Sequence, residues 1–76
     1  MKKVIEKTIG VNFRIFAAVK NVDIAEIHKS TGIAKTTLYS FKKGEMKGIQ
    51  LSTLEKLSEY FKVEVHEFFV KGDADE

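Results

Sequence analysis

Apolar residues along this chain recur at steps of three and four, and alternation at a step of two is largely missing. The pattern therefore predicts helix almost throughout. Phe13, Phe16 and Ala17 share one face of a first helix over about 13–20, with Asn12 placed to cap it. Asp23 is the predicted cap of a second helix, and Glu26 three residues on completes a capping box. Ile24, Ile27 and Thr31 form the inward stripe of that helix. Gly32 is best able to take a positive φ and end it, and Ile33 plugs the corner. A third helix follows over about 34–43, with Leu38 and Phe41 inward and Gly44 as its stop. Beyond the loop Glu45-Met46-Lys47-Gly48, a fourth helix starts near Gln50 to Ser52, where Ser52 and Glu55 match a second capping box. Leu54, Leu57 and Phe61 are its inward stripe, and Glu64 opens a short final helix over 65–70. The expected architecture is all-α: one domain over residues 11–70, between a basic arm (1–10) and a short acidic tail (71–76).

Composition narrows the chemistry. With 76 residues, 43% apolar and 32% charged, the chain fits one ordinary globular domain. Cysteine is absent, which excludes disulfides, thiolate zinc sites and a cysteine nucleophile. Met1-Lys2-Lys3-Val4-Ile5 opens like a signal sequence, but Glu6 and Lys7 end the apolar stretch at once, so a cytoplasmic protein is expected. The net charge of +2 hides an asymmetry: residues 1–48 carry +6 and residues 49–76 carry −4. A basic N-terminal portion suits a polyanionic partner, with the acidic remainder facing away. His28 and His66 are the only histidines, and neither HxxxH nor HExxH spacing occurs, so no metal is expected. No strained nucleophile turn or glycine-rich phosphate loop accompanies the serines, so neither catalysis nor a cofactor is expected.

The helix pair over 23–44 concentrates the remaining signal. Its second helix carries Lys35, Thr36, Thr37, Tyr39, Ser40, Lys42 and Lys43. A tight helix pair with a basic, hydroxyl-rich second helix is how a small domain presents side chains to the DNA major groove. The plain alternative is a solvated face whose lysines keep the protein soluble.

Further residues carry a family resemblance: Ile27, then Ser30-Thr31-Gly32-Ile33, Thr36-Thr37-Leu38 and Gly44. Downstream stand Ile49-Gln50-Leu51-Ser52-Thr53-Leu54-Glu55-Lys56-Leu57, Tyr60-Phe61-Lys62-Val63 and Glu67-Phe68-Phe69. Over roughly residues 11–70 the chain resembles the lambda-repressor/Cro-like (XRE-type) helix-turn-helix family. Three positions depart from that pattern. His28 stands where alanine is usual, Ala34 where a capping serine is usual, and the loop after Gly44 lacks the frequent proline.

The resemblance implies a compact five-helix lambda-repressor-like bundle and a repressor-like regulator of double-stranded DNA. The third helix would enter the major groove. Lys35, Thr36, Tyr39 and Ser40 would then face bases, while Lys42 and Lys43 would meet the backbone. Thr37 belongs either to that set or beneath the helix pair. Lys29, the start of the second helix and Lys47 are further phosphate candidates. Val65, Phe68, Phe69 and Val70 are the expected homodimer patch; the alternative is that Phe68 and Phe69 close the core. The arm 1–10 would follow the DNA, add to a partner subunit or stay disordered. In a chain this short, control would come from concentration, operator competition or a partner protein. A protein-interaction module, such as an antitoxin or adaptor, is the rival on the same fold.

Overall fold

The first helix starts well before the expected position. The computed structural model describes residues 4–71, and α1 runs Val4–Lys20. Most of the predicted arm is therefore helical and belongs to the body, while residues 1–3 of it and 72–76 of the acidic tail lie outside the described residues. Ile9 and Phe13 are fully buried, and Phe16 and Ala17 pack against the same core. That face continues the four-residue step of Phe13 and Ala17 back to Ile9. Asn12 caps nothing. It sits inside α1, and its amide nitrogen donates to the carbonyls of Phe68 (2.8 Å) and Val70 (2.9 Å). Both of its N–H groups are thereby used to hold the far end of the chain on the first helix.

Helix α2 covers Ile24–Thr31 and begins as expected, with the Asp23 carboxylate accepting from the Glu26 amide at 2.9 Å. Gly32 ends it at φ 79°, its amide bonded back to the His28 carbonyl. Helix α3 covers Lys35–Lys43 and stops at Gly44, φ 70°. Its N-cap, Ala34, offers no side-chain bond, so this helix end lacks the support that Asp23 gives α2. Helix α4 covers Leu51–Phe61. The expected Ser52–Glu55 box does not form, because the cap is Gln50 and Ser52 lies already inside the helix. A reciprocal box does form at the last element, Val65–Phe69, where Glu64 and Glu67 bond each other's backbone amides. That element is a 3-10 helix rather than a fifth α-helix. Its five residues close the bundle by driving Phe68 to full burial.

The core is one cluster drawn from every element. Ile9 and Phe13 of α1 meet Ile24 and Ile27 of α2, Leu38 and Phe41 of α3, and Leu54 and Leu57 of α4. Ile33 fills the turn and Met46 plugs the loop after α3, 4% exposed where the family's proline is missing. Phe68 completes the cluster and packs edge-on against Phe16, ring centroids 5.2 Å apart. The backbones of α1 and the end of α3 come into direct contact. A Cβ on Gly10 would lie 2.8 Å from the Gly44 Cα and 2.9 Å from the Phe41 carbonyl oxygen. These are backbone atoms, so nothing flexible is available to yield.

Both glycine packing and capping can be tested by stability. Glycine to alanine inside a helix normally stabilises by roughly 1 kcal/mol. Gly10→Ala is expected to do the reverse, destabilising by about 1–3 kcal/mol as α1 and α3 are forced apart. A urea midpoint that stays put or rises would show that the two helices separate freely. Ala34→Ser works in the opposite sense: the backbone at φ −59°, ψ 143° suits a cap, so the hydroxyl should add about 1 kcal/mol. No gain in the urea midpoint would show that the amides of α3 are already satisfied.

Candidate nucleic-acid interface

The turn between α2 and α3 is held by side chains from α2. The Thr31 hydroxyl donates to the Ile27 carbonyl at 2.7 Å and accepts from the Ile33 amide at 3.1 Å. The His28 ring donates through Nδ1 to the Ile33 carbonyl at 2.7 Å. His28 therefore replaces the family's alanine by moving out to the half-buried rim and lacing the turn. Thr31, expected inward, is half-buried for the same reason.

With Leu38 and Phe41 buried, the roughly 100° step per residue decides what α3 shows to solvent. Thr36, Tyr39, Ser40 and Lys43 point away from the core. Lys35 and Lys42 lie on the flank toward α1, and Thr37 lies on the flank toward α4. Tyr39 is 48% exposed. Lys35, Thr36, Lys42 and Lys43 are exposed, as are Lys29 on α2 and Lys47 in the following loop. Ser40 is half-buried, and its hydroxyl donates back to the Thr36 carbonyl at 3.1 Å, which leaves only its lone pairs for an outside donor. Thr37 is half-buried and lines an open groove with Phe41, Gly48, Ile49, Gln50 and Thr53. It shares the character of both sets that its position left open.

The two ends of α3 differ in electrostatics. At the N-terminus no acid occupies the first turn, and the first intrahelical bond runs from the Leu38 amide to the Ala34 carbonyl. The amides before it are free to face an anion, at the positive end of the helix dipole. At the C-terminus the Arg14 guanidinium donates to the Lys42 carbonyl, while Lys42 and Lys43 oppose the negative end. Arg14 is a residue that spacing did not single out. Its signal was that it is the chain's sole arginine. It also lines a cleft with Phe13, Ala17, Val22, Ile24 and Lys42. Two lysines and one arginine thus ring the side of α3 nearest α1.

The expected dimer patch is divided by the packing. Phe68 is fully buried and unavailable to any partner, so it closes the core. Val65 is half-buried against that core. Phe69 and Val70 remain outside, 44% and 54% exposed. Consecutive residues of a 3-10 turn point about 120° apart, which separates Phe68 from its neighbour. His66 is exposed. No helix among the described residues is long and apolar enough to cross a membrane.

Comparison with known proteins adds one positive result. Residues 12–70 match the family model of the Cro/C1-type HTH DNA-binding domain. The match takes in the C-terminal half of α1, the laced turn, α3, α4 and the closing 3-10 helix. No curated protein and no solved structure matched the chain. Extending over well more than half of the sequence, the match shows that the chain belongs to the Cro/C1-type helix-turn-helix DNA-binding family.

Proposed function

We propose that this protein is a cytoplasmic transcriptional regulator of the repressor type, binding a specific duplex as a homodimer and carrying out no catalysis. The observation that carries this reading is the exposed edge of α3. It presents Lys35, Thr36, Tyr39 and Lys43 from a helix whose angle is set by the laced turn and by Gly10 against Gly44. Lys35 donates to guanine O6 or N7, Thr36 offers its methyl to thymine or its hydroxyl to a base edge, and Tyr39 supplies ring and hydroxyl. Thr37 and Ser40 support the same face with acceptor groups. Lys29, Lys42, Lys43 and Lys47 meet phosphates and set affinity rather than sequence. The free amides at the start of α3 favour a phosphate there. Two copies on a pseudo-palindromic operator place their α3 helices about 34 Å apart.

Binding to a random duplex should weaken steeply with salt. The slope of log K against log salt is about −0.9 per phosphate contact, so four lysine contacts give roughly −3 to −4. Lys35→Ala and Tyr39→Ala should each cost about 1–3 kcal/mol on the preferred site and relax its sequence, as read by selection from a random duplex pool. Lys43→Ala should weaken all duplexes alike and flatten the salt slope by about 1. No duplex binding at low salt would overturn the proposal and favour a protein-interaction module on the same fold. Unchanged preference in both base-facing variants would show that α3 does not read sequence.

A further inference from the structure

Base discrimination in the major groove depends on which hydrogen-bonding groups a protein edge carries, and the edge of α3 is defined by what it lacks. Residues 27–44 contain no Asp, Glu, Asn, Gln or Arg. The chain's three amides stand elsewhere: Asn12 spends both N–H groups on the Phe68 and Val70 carbonyls, Asn21 follows α1, and Gln50 is the N-cap of α4. Adenine is told apart by an amide bidentate to N6 and N7, and cytosine by a carboxylate on N4. α3 carries neither reader. Its exposed residues offer the Thr36 methyl and hydroxyl, the Tyr39 ring and hydroxyl, and the ammonium groups of Lys35 and Lys43. Thr36 and Tyr39 stand three residues apart on one face. That is about 4.5 Å along the axis, against a base step of about 3.4 Å, so two apolar groups reach neighbouring pairs.

We infer that α3 selects operators by the 5-methyl group of pyrimidines, and that 5-methylcytosine paired with guanine is accepted in place of thymine paired with adenine. The inference rests on the proposed reading that this edge faces bases, and it adds the class of base pair taken. In the major groove the two pairs differ only in their middle groups. Thymine–adenine presents methyl, O4 acceptor, N6 donor and N7 acceptor; the methylated cytosine pair presents methyl, N4 donor, O6 acceptor and N7 acceptor. An amide aimed at N6 and N7 would register that exchange. Hydroxyls do not, because Thr36 and Tyr39 can each donate or accept. Ser40, whose proton goes to the Thr36 carbonyl at 3.1 Å, accepts from cytosine N4 as well as from adenine N6. Lys35, a donor only, gains the O6 acceptor where adenine holds a donor. Loss of the methyl, by contrast, leaves Thr36 and Tyr39 without an apolar partner, whichever pyrimidine carried it. Cytosine-5 methylation is thus a covalent mark on DNA that this face can sense.

The test uses the full chain and the duplex preferred in selection from a random pool. Each thymine of a half-site is replaced in turn by uracil, by cytosine with guanine opposite, and by 5-methylcytosine with guanine opposite. At one or more of these positions uracil should weaken binding about fourfold, the loss of one buried methyl. Cytosine should lose at least as much there, and 5-methylcytosine should restore the affinity of thymine. Thr36→Ser removes the methyl and keeps the hydroxyl, so it should no longer distinguish thymine from uracil at its position, whereas Thr36→Val should. Uracil equal to thymine throughout, a selected half-site without thymine, or 5-methylcytosine no better than cytosine would each overturn the inference and leave sequence-specific binding standing. In the last case adenine is the base being read. An unaltered preference for thymine over uracil in both Thr36→Ser and Tyr39→Ala also overturns it, since the methyl contact then lies off α3. If the chain binds no duplex at all, the proposed function fails and this inference fails with it.

Discussion

Backbone contact between Gly10 and Gly44 controls how the rest of the bundle is arranged. Gly44 ends α3 at a positive φ that glycine takes without strain, and Gly10 lets α1 come within reach of that same residue. The contact is backed by Phe13 against Phe41, ring centroids 6.1 Å apart, and by Arg14 on the Lys42 carbonyl. Together these set the C-terminal end of α3 relative to the longest helix of the fold. The other end of α3 is placed by the turn that Thr31 and His28 lace. A helix fixed at both ends by neighbours can present a defined edge even when its own first turn has no cap.

That arrangement explains how Ala34 is tolerated. Loss of a serine cap costs about 1 kcal/mol in an otherwise unsupported helix. Here the missing cap bond is offset by hydrogen bonds in the preceding turn, where α2 side chains rigidify the approach rather than the helix end. The amides of the first turn of α3 remain open as a consequence, and they open on the edge where the lysines gather. Stability is drawn from the turn, and the polar groups of the helix end stay free for an anion.

Much of this was legible in the residues. Asp23, Gly32, Ile33, Leu38, Phe41 and Gly44 each act through a local rule of capping, left-handed backbone or helical period, and each sits where that rule puts it. The departures mostly share a cause. Asn12 reads as a cap because short polar side chains usually bond nearby backbone, yet its partners are 56 and 58 residues away. Gly10 reads as the end of an arm because the close approach that requires it involves an element far along the chain. Ser52 and Glu55 have the spacing of a capping box, but α4 starts two residues too early for Ser52 to cap it. Phe68 and Phe69 are indistinguishable by type, and only the rotation of the 3-10 turn buries one and exposes the other. The edge of α3 was readable because its orientation depends only on which positions are apolar. Arg14 was not, since a guanidinium on a helix end is a contact between elements.

The position of Asn12 ties together the two ends of the chain. Had it capped a helix starting near residue 13, the preceding segment would be an arm and the C-terminal carbonyls would need another donor. Because it lies inside α1 and donates both N–H groups to Phe68 and Val70, it requires a helix running through it and a chain end returning to it. Leaving those carbonyls unpaired beside a buried side chain costs about 1–3 kcal/mol, so the helical arm and the docked 3-10 turn stand or fall together. α1 is consequently a helix with two occupations: Gly10 and Arg14 position α3 on one side, and Asn12 holds the chain's end on another. Substitutions on the first side act on the angle of α3. Those on the second act on the closure of the fold, so the two effects are separable along a single helix.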